Sequence, residues 1–288
     1  MSTVVAVVLL AAVLHASWNA IAKGVADQIG LFGRTAAVSI GFSAAALAAT
    51  VLAGPDASPR PASWPWLAGS VALHTGYYIG LLAAYRVGHF NQTYPLARGI
   101  GPFVVAIVAA TVIGERLHLL AVAGVLLIAA AIGVLGLTPW RDVRHNRAAL
   151  VAAVCTGLAI ASYTLVDGIG VRRSGSPLGY AAWLLTLHTI AALAAITLIR
   201  RSRWAPPPPD RPAPWRAAVS AGAMSMLAYG LVLWAQSRGA LAAVAALRES
   251  SVVVAALLGA WLFKEPMGRT RILASIAVAA GVVLLATG

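Results

Sequence analysis

Charge is scarce in this sequence: Asp, Glu, Lys and Arg together make up 10% of its 288 residues, where an ordinary soluble domain carries about 25%. A chain that poor in charge cannot cover a water-soluble globule of its size. Acidic residues are rarer still, eight against twenty-one Lys and Arg, for a formal net charge of +13. Cysteine occurs once, as Cys155, which excludes an internal disulfide, and no Cys/His cluster has zinc spacing. Also missing are a Gly-x-Ser-x-Gly elbow, a His-Glu-x-x-His helix, paired Asp motifs and a P-loop. Those absences argue against hydrolase, metalloprotease and ATP-driven chemistry and predict no cofactor and no metal.

What the chain has is apolar length. Hydrophobic residues make up 60% of it, and mean hydropathy is +0.86. Apolar runs of about twenty residues recur from end to end, each long enough to cross roughly 30 Å of hydrocarbon. Windows near 3–22, 31–53, 64–85, 91–113, 119–137, 148–169, 178–199, 215–237, 242–263 and 270–287 read as spans. The expected fold class is an all-α membrane protein of about ten transmembrane helices, multi-pass in the cell membrane (inner or plasma). The first run lacks a basic leader and a small-residue cleavage site, so it reads as a retained helix.

The breakers sit between the runs: Gly54-Pro55, Thr138-Pro139, Ser174 to Pro177, and Pro206 to Pro209. Most of the basic residues sit there too, which reads as a topology signal rather than a nucleic-acid surface. About fourteen Lys and Arg fall at odd-numbered connections, Arg141, Arg144, Arg147, Arg200, Arg201, Arg203 and Lys264 among them, and about five at even-numbered ones. By that count both termini face outside.

The sequence also repeats itself. Gly88, Arg98 and Glu115 in the first half match Gly239, Arg248 and Glu265 in the second, each Glu seventeen residues after its Arg. Ala16-Ser17-Trp18-Asn19 aligns with Ala161-Ser162-Tyr163-Thr164, and Tyr78 with Tyr229. This predicts two five-helix repeats, 1–143 and 144–288. Because five is odd, the second crosses in the opposite sense and the repeats are inverted, a symmetry suited to alternating access.

Several strings carry a further likeness: His15-Ala16-Ser17-Trp18-Asn19 with Lys23, His74-Thr75-Gly76-Tyr77-Tyr78, Tyr85-Arg86-Val87-Gly88, Tyr94-Pro95-Leu96-Ala97-Arg98-Gly99, and Gly114-Glu115-Arg116-Leu117. Together they resemble the EamA-type family of the drug/metabolite transporter superfamily over essentially the whole chain. The resemblance implies two inverted five-helix repeats around a central cavity, transport of small metabolites or amphiphilic compounds, and cytoplasmic termini. His89-Phe90-Asn91-Gln92 departs from the short acidic turn expected of the family before span 4.

Polar side chains at bilayer depth cost about 2.5–3.5 kcal/mol on insertion scales, so they face a partner or a wet cavity. In span 1, His15, Trp18, Asn19 and Lys23 share one helical face. Asn19 reads as a hydrogen-bonding and Trp18 as a stacking contact to substrate, or with His15 as packing glue, and Lys23 as a gating or interfacial cation. His74, Tyr77, Tyr78 and Tyr85 form an aromatic stripe in span 3, with Tyr163 and Tyr229 joining from the second half. Span 4 aligns Asn91, Tyr94, Arg98 and Pro102. Arg98 is the leading candidate, a guanidinium able to grip a carboxylate or phosphate with two parallel hydrogen bonds, with Arg248 its counterpart.

Glu249 follows Arg248 directly; adjacent helical residues point about 100° apart, so it is expected to need another partner. Asp167 reads as a proton carrier or as a solvated interfacial group, and His188 as a core histidine. Glu115 and Glu265 are expected to cap the helices that follow them or to pair with Arg116 and Lys264. The coupling and gating candidates are Lys23, Asp167 and Glu249. Gly124, Gly133 and Gly281 permit close helix contact. The expected partners are the lipid bilayer and a small-molecule solute, amino acid or organic anion favoured, with a monomer favoured and a dimer possible. Two other classes compete: an intramembrane enzyme, and a non-transporting partner or receptor subunit with a sealed polar core.

Overall fold

The computed structural model describes residues 2–87, 90–136, 147–201 and 212–287. Gly88, His89, Thr138, Pro139, Arg141, Arg144, Arg203 and Pro206 to Pro209 lie outside the described residues, as do the side chains of Tyr78, Tyr85, Asn91, Tyr94, Arg147, Arg200 and Arg201. Helices fall on all the apolar windows: α1 (Ser2–Lys23), α2 (Gln28–Leu52), α3 (Trp64–Val87), α4 (Phe90–Val108), α5 (Leu119–Gly136), α6 (Arg147–Ser174), α7 (Pro177–Arg201), α8 (Trp215–Gln236), α9 (Leu241–Arg248), α10 (Ser251–Phe263) and α11 (Arg269–Thr287). Among the described residues there is no strand. Seven stretches of the described residues are long and apolar enough to cross a bilayer, α9 and α10 counting as one, and two shorter apolar helices lie at Arg98–Ile113 and Leu119–Leu135. Helix is the form an open chain takes in lipid, because it satisfies every backbone N–H and C=O internally. The protein is an all-helical, multi-pass membrane protein.

Local chemistry sets the helix ends. Asp27 caps α2 by accepting from Gly30 N at 2.7 Å, and the same carboxylate accepts from Ala213 N at 3.2 Å. One side chain thus satisfies a helix start and ties it to the chain entering α8. Pro177 opens α7 and Pro214 precedes α8, positions where a missing N–H costs nothing. After α4 comes one π turn (Ala109–Ile113), closed by Gly114 in the left-handed region at φ 78°.

The helices pack across the two halves in a paired pattern. α1 lies on α8 as α6 lies on α3; α2 meets α8 as α7 meets α3; α4 packs on α6 as α9 and α10 pack on α1. α2 meets α7, and α5 meets α11. Glycine permits the last crossing. A Cβ on Gly124 would sit 2.7 Å from the Gly281 carbonyl oxygen, and one on Gly281 would sit 2.9 Å from that of Gly124. Gly133 serves a different contact: a Cβ on Gly99 would lie 2.9 Å from Gly133 N. The partners of all three small residues are internal. Leucines, valines and tryptophans on the outer faces remain exposed, among them Leu52, Leu119 and Trp261, as expected where lipid is the solvent.

Candidate functional site

A cavity of about 740 Å³ lies between the halves, with walls from α1, α2, α3, α4 and α6 to α9. Trp18, Asn19 and Lys23 line it from one face of α1, with His15. The helical spacing of these residues in the sequence therefore corresponds to a real wall. The cavity reaches the surface near Lys23, Gln28 and Arg271, all exposed.

At its inner end are two arginines. Arg98 Nε lies 2.7 Å from Glu249 Oε2, its Nη2 donates to Ser251 Oγ at 2.7 Å, and its Nη1 meets His15 Nε2 at 3.2 Å. Arg98 is buried and ties α4 to α1, α9 and α10. A guanidinium has no acceptor, so His15 Nε2 must accept and His15 Nδ1 carries the ring proton. The Trp18 indole N–H, 3.3 Å from that Nδ1, then makes an edge contact rather than a hydrogen bond. The rings are perpendicular, at 88°.

Arg248 is held differently. Its Nε is 3.9 Å from Glu249 Oε1 and has no hydrogen-bond acceptor, and its guanidinium stands 6.0 Å above the ring of Tyr163, within reach of a cation–π contact. It lines the cavity. The sequence argument against an Arg248–Glu249 pair needs correction, because it assumed a continuous helix. The chain turns at Glu249 and Ser250 between α9 and α10, and Ser250 N bonds three residues back, to Leu247 O at 3.0 Å. That turn lets Glu249 sit between both arginines. The expectation of another partner is met by Arg98.

Aromatic and imidazole rings form the adjoining wall. His74 stacks on Tyr163 at 4.1 Å and 30°, touches His188 at 4.9 Å and Tyr229 at 5.4 Å, and its Nδ1 lies 3.0 Å from Ser70 O. His188, read as a core histidine, lies on the cavity wall. Only the neighbourhood of α3 and α6 brings it there. Asp167 is fully buried rather than solvated. Its carboxylate accepts from Tyr180 Oη at 3.3 Å and from Tyr229 Oη, and Tyr229 also lines the cavity. The interfacial reading of Asp167 failed because α6 runs on to Ser174, past the predicted end of the span. Asn19 donates to His15 O at 2.7 Å along its own helix.

Sequence reasoning did not find Tyr180 or Ser251. Tyr180 carries no pattern, since its partner Asp167 lies on the preceding helix; Ser251 stood beside Glu249 without a reason to choose it. The two loop glutamates also need correction. Glu115 neither caps α5 nor pairs with Arg116. It accepts from Arg172 Nη2 at 2.7 Å and from Leu241 N at 2.8 Å, capping α9. Glu265 pairs with Lys23 and with Arg271 at 3.1 Å rather than with Lys264. The Lys23 hydrogen bond, then that from Arg271, holds the Glu265 carboxyl below its ordinary value against the opposing effect of partial burial. Near Glu115, Arg172 also donates to Gln236 O at 3.0 Å and Gly239 O at 2.7 Å.

Among known proteins, a solved crystal structure with 18% sequence identity superposes with a TM-score of 0.74, covering 99% of this chain and 96% of its own. At that identity the likeness concerns the fold. No curated protein matches the sequence. Residues 147–287 match the model described as the EamA-like transporter family. With that match over residues 147–287, on an all-helical membrane fold around a cavity lined by charged and aromatic side chains, the second half of the chain belongs to the EamA-like transporter family.

Proposed function

We propose that the protein is a secondary active transporter that moves a small anionic or zwitterionic metabolite, such as an amino acid or organic acid, across the cell membrane by alternating access. The observation that carries this reading is the cavity of about 740 Å³ between the halves, within the about 300–1,000 Å³ usual for small-molecule sites, with two guanidiniums sharing one carboxylate at its inner end. The formal surplus of one positive charge favours a solute with a carboxylate or phosphate and disfavours a lipophilic cation. Arg248 is the contact residue: its only ion pair among the described residues is the long one to Glu249, at 3.9 Å, whereas Arg98 is engaged by Glu249 at 2.7 Å and by Ser251 and His15. Trp18, Asn19, His74 and Tyr163 supply the remaining walls.

Two inverted repeats, 1–143 and 144–288, account for the paired packing, since exchanging α1 with α6, α2 with α7, α3 with α8, α4 with α9 and α10, and α5 with α11 reproduces the main helix contacts between the halves. Taken with α9 and α10 as one interrupted span, that gives ten crossings. A discontinuous helix at the site is a recurring feature of such transporters. Asp167, joined to the cavity wall through Tyr229, is the candidate proton carrier. A sealed, non-transporting partner protein has no use for an open polar cavity.

The test is flux by the purified protein in liposomes across labelled amino acids, organic acids and cationic dyes, with and without an imposed proton gradient. Saturable flux of an anionic or zwitterionic compound is expected. It should fall at least about tenfold in Arg248→Ala, about 1.4 kcal/mol of lost binding. Asp167→Asn should retain exchange but lose its response to the proton gradient. Flux restricted to cationic dyes would overturn the substrate class, and no flux from folded protein would overturn the transporter reading.

A further inference from the structure

Two ion pairs at opposite ends of the molecule are built alike. After α4, Gly114 takes the left-handed conformation and Glu115 N bonds six residues back, to Ala109 O at 2.8 Å. After α10, Lys264 does the same at φ 53°, and Glu265 N bonds six residues back, to Gly259 O at 3.2 Å. Lysine in that region is rare and strained where glycine is not. Each turn, of the kind that ends many helices, presents a glutamate to a basic residue in the last turn of a helix from the other half. Glu115 takes Arg172, at the end of α6; Glu265 takes Lys23, at the end of α1.

The two differ in how shut they are. The Glu115 and Arg172 side chains are 12% and 31% exposed, and the carboxylate also holds the free N–H of Leu241 at the start of α9. Neighbouring segments close over this end: Arg60 N bonds Ser174 O at 2.8 Å, and Ser176 Oγ bonds Ala57 O at 2.8 Å. Glu265 and Lys23 are 29% and 52% exposed, and both line the cavity where it reaches the surface.

We propose that Glu115 with Arg172 and Glu265 with Lys23 are the two gates of the pathway, related by the repeat, and that this structure holds the first shut and the second open. This rests on the alternating-access reading. In the opposite state the Glu265 gate tightens and dries, while Glu115 releases Arg172 and the start of α9. Neutralising Glu115 therefore releases the shut end. Neutralising Glu265 removes a contact that strengthens only in the other state, leaving the present state favoured.

The experiment is spin-label distance measurement on the full chain in nanodiscs, in a Cys155→Ala background. One label pair at Arg116→Cys and Arg238→Cys, both exposed, spans the shut end; a second at Ala26→Cys and Gly268→Cys, also exposed, spans the open end. Glu115→Gln and Arg172→Gln should each lengthen the first distance and shorten the second, and Glu265→Gln should leave the present distances in place. If neither Glu115→Gln nor Arg172→Gln moves the distances in folded protein, or if all three variants move them the same way, the gate assignment is overturned. Flux separates the two ideas: distances that shift as expected in a protein that moves no solute keep the gates and discard the transport reading, whereas robust flux with immobile distances does the reverse.

Discussion

The segments Arg98-Gly99-Ile100-Gly101 and Arg248-Glu249-Ser250-Ser251 occupy matching places in the two halves and have been put to different uses. In the first, two of the three residues after the arginine are glycines. Gly99 lies against Gly133, and a Cβ on Gly101 would meet the Ile160 side chain at 3.1 Å, so α4 runs on unbroken and packs closely. In the second, the residues after the arginine are polar and buried, and the helix turns at Glu249 and Ser250. That segment supplies the carboxylate and the Ser251 hydroxyl that hold Arg98. One half therefore furnishes the counter-charge for both, and its own arginine is left with the weaker contact, at 3.9 Å. Matching positions in the sequence need not have matching surroundings in the fold. The asymmetry gives one arginine a close ion pair at 2.7 Å and the other a long one at 3.9 Å, although both line the cavity.

The largest effect that would break this comparison is on Glu249. Glu249→Gln removes the carboxylate from between two buried guanidiniums, and breaking such a pair by deleting one partner costs about 3–5 kcal/mol. A thermal or denaturant melt of the purified protein should show that loss; an unchanged melt would mean that the arginines find other compensation. Next is a split between the arginines. Arg98→Ala should lower stability by more than Arg248→Ala, while Arg248→Ala should weaken solute binding in a calorimetric titration by the greater factor. Equal losses in both assays would erase the distinction.

Away from the site, Gly124→Leu should destabilise by about 1–3 kcal/mol, because overpacking at the α5 and α11 crossing must push backbone apart, again read from a melt. Leu at Gly76, where an added Cβ meets nothing within 4 Å, is the matched control. The smallest effect concerns pH at the Lys23 end. With the Glu265 carboxyl held below its ordinary value in the folded protein, its pairing is fully present above the unfolded carboxyl's pKa and is lost as pH falls through the lowered folded one. Partly exposed pairs of this kind contribute about 0–1 kcal/mol. Acid should therefore lower stability by no more than that through this group, and Glu265→Gln should remove that part of the pH dependence.

Much of the fold was legible because lipid imposes a simple rule: an apolar run long enough to cross has to be helical. The windows at Thr3–Ala22 or 270–287 need no knowledge of neighbours to be read. Part of the site was legible for a related reason, since polar side chains on an apolar helix stand out, and His15, Trp18, Asn19 and Lys23 on α1 all line the cavity. Partners were not legible. The sequence placed Glu115 beside Arg116, and the fold placed it against Arg172 and Leu241; it placed Asp167 near an interface, and the fold buried it beneath Tyr180 and Tyr229.

By itself, then, the sequence determined that this is a helical membrane protein, roughly where its helices run, and which side chains are too costly to leave in hydrocarbon, because each of those follows from local composition and the energetics of transfer. The tertiary structure alone decided how closely each arginine is paired, that the helix breaks at Glu249, and where the cavity reaches the surface. Those outcomes depend on distances between groups far apart in the chain, and pairing energies that fall off within a few ångströms are set only when the helices pack.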